Sequence, residues 1–246
     1  MKIAVINFSG NVGKTTIARH LLLPRIAGAE LIAIESLNAD EAQGQALRGR
    51  QFGELQEYLQ TVDSVVVDIG ASNVEELLAL MRRYRGSHED FDYFIVPTVP
   101  ALKQQQDTIA TLAELAQLGV PAGKVWLVFN MLEDGIEPAQ AFDTVLAFLA
   151  EHPFAHADLA CRLGVNEIYE RAKAMGPGVD LAALVADGTN YRTLISKAQG
   201  TSEKLALAQK LATRRLASGV VPELDACFAA LRLAPTQRRA QAEATV

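Results

Sequence analysis

The residues that most constrain this chain lie at its start. Lys2-Ile3-Ala4-Val5-Ile6 is an apolar run of strand length. It leads at once into Asn7-Phe8-Ser9-Gly10-Asn11-Val12-Gly13-Lys14-Thr15-Thr16, and then into apolar residues at helical spacing, Ile17, Ala18, Leu21 and Leu22. A strand, a glycine-bearing loop ending in Gly-Lys-Thr-Thr and a helix form the layout of a phosphate-binding loop. Backbone N–H groups in such a loop cradle phosphate oxygens, and the helix offers its positive end to the same anion. Lys14 adds a point charge for the terminal phosphates, and the Thr15 hydroxyl is a hard oxygen ligand for Mg²⁺. The strict pattern also asks for a glycine where Phe8 stands, so only its core is present. The plain alternative is a tight turn, with Gly10 and Gly13 at positive φ and Lys14 solvated.

The rest of the chain supports the first reading. Leu31–Ile34, Val62–Ile69, Phe91–Val96 and Val125–Phe129 are near-continuous apolar runs. Helical patterns lie between them, at about 54–60, 72–84, 101–118 and 137–151. Ser72-Asn73-Val74-Glu75 has the form of a capping box. Alternation of this kind predicts an α/β fold, a mostly parallel twisted sheet with helices on both faces. Ligands in such sheets bind at the carboxyl ends of the strands. The loop from Phe8, Asp68, Pro97-Thr98 and Asn130 all fall there. Beyond Pro153 the pattern is mostly helical: 167–175, a long stretch from Tyr191 to Leu216 and another from Val221 to Leu233. The expected division is a P-loop domain over 1–184, with 185–246 as its helical C-terminal extension.

At 246 residues and 50% hydrophobic content, a large single core is attainable. No apolar run reaches the roughly 20 residues of a membrane span. Two cysteines, Cys161 and Cys227, make neither a disulfide framework nor a metal cluster. The expectation is a cytoplasmic protein without a leader. Charge is uneven: from Arg192 onward nine basic residues face four acidic ones, within a chain of net charge −6. Lys197, Lys204, Lys210, Arg214 and Arg215 form a basic stretch that could meet DNA phosphates or simply be solvated.

Val65-Val66-Val67-Asp68-Ile69-Gly70 is a strand ending in a carboxylate. A carboxylate at a neighbouring strand end commonly helps hold a nucleotide's Mg²⁺. Gly70 would let the backbone approach the terminal phosphate. Asn130, after its strand, carries an amide able to pair with an adenine edge.

Together these residues resemble the ParA/MinD group of deviant Walker P-loop ATPases, and most nearly the StbB-type proteins of plasmid stability and conjugation. The resemblance covers roughly 1–184 and is most specific in the first 75 residues. It implies an ATP-binding switch for plasmid stability, DNA positioning or conjugative transfer. It further implies a nucleotide-dependent homodimer, ATP and Mg²⁺ as cofactors, and slow, partner-stimulated hydrolysis. The partner would be a plasmid-encoded adaptor or DNA. Carried over by residue, Ser9, Gly10, Asn11, Val12, Gly13, Lys14, Thr15 and Thr16 form the loop. Lys14 and Asp68 are then the catalytic pair, Thr15 and Asp68 the metal side, and Asn130 the adenine side.

Two positions depart from the family. Ser9 stands where the family has a lysine that reaches the partner's nucleotide. Leu37, within Glu35-Ser36-Leu37-Asn38, stands where it has the aspartate that aligns water. Positioning and charge neutralisation supply most of phosphoryl-transfer catalysis, so turnover is expected to be slow or absent. The alternative functions are an ATP-dependent small-molecule ligase or kinase on this scaffold, and a membrane-surface positioning ATPase. The polar end, Thr236 to Val246, lacks the bulky apolar face a lipid anchor needs, so no stable membrane insertion is expected.

Overall fold

The computed structural model describes residues 1–34, 44–176 and 178–234, with backbone alone for 44–50. Strand β1 (Lys2–Val5) is followed by helix α1 (Lys14–Thr16), which continues as a π-helical segment (Ile17–Leu22) and a 3-10 turn (Leu23–Arg25). Then come β2 (Glu30–Ile34), α2 (Gly44–Thr61), β3 (Val65–Ile69), α3 (Val74–Arg83), β4 (Tyr93–Thr98), α4 (Leu102–Gln117) and β5 (Val125–Leu132). Helices α5 (Pro138–Ala141) and α6 (Asp143–Glu151) precede β6 (Arg162–Gly164). The chain closes with α7 (Ile168–Met175), α8 (Leu181–Ala186), α9 (Tyr191–Lys197) and α10 (Thr201–Ala230).

The six strands form one sheet in the order β2-β3-β1-β4-β5-β6, and every pair is parallel. The apolar runs are continuous because both faces are covered. Successive residues of a strand point to opposite faces. Thus Ala4 and Ile6 join one core layer with α2, α3, α4 and α6, while Ile3 and Val5 join the other with the π-helical segment, α7, α8 and α10. Val67 and Val66 divide likewise, as do Phe94 and Ile95. The helix after β1 packs on the second face, but those after β3 and β4, the two neighbours of β1, pack on the first. The chain therefore parts at the carboxyl end of β1 and leaves a crevice there, where parallel sheets bind ligands.

Several local expectations are corrected. The N-cap of α3 is not Ser72: a 3-10 turn over Ala71–Asn73 comes first, and the helix is preceded by Asn73, whose amide donates to the Ile34 carbonyl (3.2 Å). The strand expected over Phe91–Val96 is displaced: β4 starts at Tyr93 and runs through Pro97 to Thr98. Ile95 accepts from the Ile6 N–H, and Pro97, two residues on and facing the same side, lies past the β1 ladder. Its missing N–H therefore costs no sheet bond. Strand β6 lies in the stretch read as helical. Strand β5 extends to Leu132, so Asn130 lies within it, at an irregularity where Met131 takes φ 56°. Gly200 separates α9 from α10, and α10 then continues through Pro222, joining the helices expected to end at Leu216 and to start at Val221. Ala217, Val220, Leu224 and Cys227 are all buried on one face, and that packing outweighs the lost helical bond.

Among the described residues no helix is long and apolar enough to cross a membrane, and no cluster of His, Cys, Asp and Glu could hold a metal ion.

Candidate functional site

The loop between β1 and α1 is built on positive φ, but not at both glycines. Gly13 has φ 86° and Asn11 φ 57°, whereas Gly10 is absent from the positive-φ residues. Asparagine tolerates this region better than most side chains. Gly13 is required for a second reason. A Cβ there would lie 2.2 Å from Nδ2 of Asn130. Asn130 is buried beneath the loop, and its amide donates to the Val12 carbonyl (2.9 Å). The residue expected on the adenine side thus braces the loop from below, with one amide N–H already engaged.

Lys14 is buried, only 7% exposed. Its ammonium donates to the carbonyls of Asn7 (3.0 Å) and Ser9 (2.6 Å), curling the loop around itself. Burial pulls its pKa from 10.5 down to about 8, and the charge of Asp68 works in the opposite direction. A lysine solvated beside a plain turn would have neither burial nor such contacts. The exposed Thr15 donates to Oδ2 of buried Asp68 (2.6 Å). Asp68 pairs in register with Val5, so the β1–β3 ladder itself brings the carboxylate to the loop. The Gly70 N–H is turned toward the Ile34 carbonyl (2.8 Å). Glu35, Ser36, Leu37 and Asn38 lie outside the described residues.

The first half of the loop is tied to α4 by contacts that sequence reading missed. The Asn7 amide donates to Pro97 O and Thr108 Oγ1, both at 2.8 Å, while its Oδ1 accepts from the Ser9 N–H (2.7 Å). Thr108 donates to the Gln104 carbonyl (2.7 Å) and lies 3.0 Å from the Thr98 hydroxyl. The Phe8 N–H donates to Thr111 Oγ1 (3.1 Å). Asp107 is held below the usual carboxylate range by the Lys103 ammonium and, more weakly, by the Ser9 hydroxyl. The available signal was three polar residues, Gln105, Thr108 and Thr111, buried at a spacing of three on one face of a helix. Buried polar groups need partners: Thr108 and Thr111 find them in the loop, and Gln105 in the carbonyls of Pro100 and Ala141 and the N–H of Val145.

A cavity of about 680 Å³ opens over this loop, lined by Gly10, Gly13, Lys14, Thr15 and Thr16, with Gly70, Met131 and residues of α7 around them. That volume is in the range of small-molecule and cofactor sites. Of the predicted site residues, Gly10, Asn11, Gly13, Lys14, Thr15 and Thr16 line it, while Val12, Ser9, Asp68 and Asn130 lie behind them as support. A second cavity of about 650 Å³, between β2, α2 and α3, is walled by Phe52, Leu55, Leu77 and Leu80. It has no lysine or arginine among its described lining residues.

No protein-family model matches this chain, and no curated protein matches its sequence. Among solved structures, McdA from Cyanothece in its apo form superposes with a TM-score of 0.50 at 15% identity, over 89% of this chain and 99% of that one. A Cyanothece McdA variant in complex with ATP gives 0.46 at 14% identity, over 89% and 96%. The likeness to apo McdA shows a shared fold: a parallel α/β sheet with a helical C-terminal region.

Proposed function

We propose that this protein is an ATP-binding switch of the ParA/MinD type, acting in the positioning or stable inheritance of DNA. The observation that carries the reading is Lys14: a buried ammonium gripped by its own loop, beside a threonine paired to a strand-end carboxylate. A desolvated lysine in a cleft is a candidate functional group, and an ammonium with a spare donor suits an anion.

The chemistry follows from those atoms. The ammonium has three N–H donors, and two loop carbonyls take two of them, so the third is left for a terminal phosphate oxygen. The Thr15 hydroxyl donates to Asp68 and keeps lone pairs for a metal ion. Mg²⁺ fits there, held by Thr15 and, directly or through water, by Asp68. The metal would neutralise the β- and γ-phosphates. Switching would centre on Gly70. Its N–H now bonds the end of β2, and a γ-phosphate would compete for it, biasing the segment after Asp68 between two arrangements. In this reading ATP favours a homodimer, and DNA or an adaptor reads that state. The exposed Lys197, Lys204, Lys210 and Arg215 would supply DNA contacts. Arg214 is set apart from them, because it donates to the carbonyls of Asp187 (2.7 Å) and Thr189 (2.8 Å) and covers the Tyr191 ring.

The test is equilibrium binding and steady-state turnover of Mg·ATP, with and without duplex DNA, for the native protein and Lys14→Ala. Binding that is lost in Lys14→Ala and turnover that rises with DNA support the switch. Native binding accompanied by turnover only with a small-molecule acceptor would favour a ligase or kinase.

A further inference from the structure

The cavity holds more positive charge than the loop alone supplies. Arg19, on the π-helical segment, and Lys173, in the last turn of α7, line it together with Lys14. One carboxylate, Glu170, stands among them in the described lining. His20 adds little charge near neutrality: burial, and then Arg19, lower its pKa, with Asp180 opposing. With Asp68 behind Thr15, three cations face two carboxylates around one cleft, a positive balance that raises the local concentration of anions. Lys14 and Arg19 are placed in order along the cleft by the helix that carries both, and Lys173 lines the same cavity from α7. Lys14 and Thr15 mark the terminal-phosphate end. Arg19 lies one helical turn beyond Thr15 and Thr16, away from that end. The backbone of α7 is anchored by buried Ile168 and Ala172 in the second core layer, while the Lys173 side chain is exposed over the cavity.

We propose that Lys173 and Arg19 clamp the sugar-proximal phosphate of the bound nucleotide, so that α7 closes the cavity by charge from within one chain. This rests on the nucleotide reading above. It also offers this chain, with Ser9 early in its loop, a source of positive charge that needs no second subunit. The sugar-proximal phosphate is common to ATP and ADP. A residue acting there affects both equally, whereas a residue acting on the terminal phosphate affects ATP alone.

The experiment is calorimetric titration of native protein, Lys173→Ala, Lys173→Glu and Arg19→Ala with Mg·ATP, Mg·ADP and adenosine, with Arg83→Ala on α3 as a remote control. Circular dichroism melting confirms that each variant is folded. Loss of a charged contact to phosphate is expected to weaken both nucleotides about tenfold in Lys173→Ala. Lys173→Glu should weaken them further, with the ATP-to-ADP ratio, adenosine binding and Arg83→Ala unchanged. Native-like nucleotide binding by Lys173→Ala and Lys173→Glu overturns the clamp while leaving the nucleotide reading intact. Loss confined to ATP, or an equal loss for adenosine, also overturns it. A native protein that binds neither nucleotide defeats the nucleotide reading itself, and the clamp with it.

Discussion

The Thr15 hydroxyl donates to Oδ2 of Asp68 across 2.6 Å, joining the end of the loop to the end of β3. If this pair is the metal side of a nucleotide site, removing the carboxylate charge should remove the metal's benefit. Asp68→Asn is predicted to bind ATP equally in Mg²⁺ and in EDTA, whereas the native protein binds about 10–100-fold more tightly with Mg²⁺, the scale seen when metal-site groups are disturbed. Paired titrations in the two buffers check this. A full Mg²⁺ effect in Asp68→Asn would remove Asp68 from the metal's surroundings.

Gly13 and Asn130 are packed so closely that the glycine has no allowed replacement. Gly13→Ala combines a Cβ 2.2 Å from Nδ2 with φ 86°. Strain and overlap together are expected to cost about 2–4 kcal/mol. Adding Asn130→Ala relieves the overlap but not the φ strain, so the double variant should recover part of the stability. Urea melts of Gly13→Ala, Asn130→Ala and the double variant test this, and full additivity of the two single losses would contradict it.

Among the described residues Thr108 bonds the loop through Asn7, so its effect on binding should be indirect. Thr108→Val removes a hydroxyl that accepts from the Asn7 amide and donates to Gln104. A stability loss of about 1–3 kcal/mol is expected, with weaker nucleotide binding at an unchanged ATP-to-ADP ratio. Unchanged binding in a clearly destabilised Thr108→Val would show that α4 does not organise the loop.

The pH dependence follows from Lys14. Its folded pKa of about 8 lies below its ordinary 10.5, so between those values the unfolded chain binds more protons than the folded one. Stability of the ligand-free protein is therefore expected to rise with pH across that window, and this contribution is flat below about 8. Nucleotide binding needs the ammonium, so affinity should fall in the same window. Lys14→Met should lose the stability trend, which melting from pH 7 to 10 would measure, while titration of the native protein over the same range follows the affinity.

The basic stretch gives a separable prediction. Lys204 and Lys210 are exposed on α10, far along the chain from the loop. Replacing both by alanine should weaken duplex DNA binding and reduce the magnitude of its salt slope by about 2, leaving ATP affinity unchanged. An unaltered slope would remove these lysines from the DNA surface.

Much of the fold was legible because its strands are apolar on both faces. Val65 to Ile69 could be read as a buried parallel strand from composition alone. Strand β6 could not: it is three residues long, and of these only Leu163 is buried. Pro97 and Pro222 lie inside regular elements because the cost of a proline depends on whether its missing N–H had a partner and on whether packing outweighs it. The candidate site was legible at Lys14, Thr15 and Asp68, whose residue types follow from the chemistry. The roles of Asn7, Thr108 and Thr111 were not, because a polar residue on an amphipathic helix declares itself only once its burial is known. Arg19 and Lys173 are brought to one cavity by tertiary packing across about 150 residues of chain, a relationship no local pattern carries.

The most direct test of the account is titration of the purified native protein and Lys14→Ala with Mg·ATP. The native protein should bind saturably with one site per chain, and a folded Lys14→Ala should show no detectable binding. Absence of binding by the native protein, or equal binding by both, would contradict the account and leave the loop as a turn.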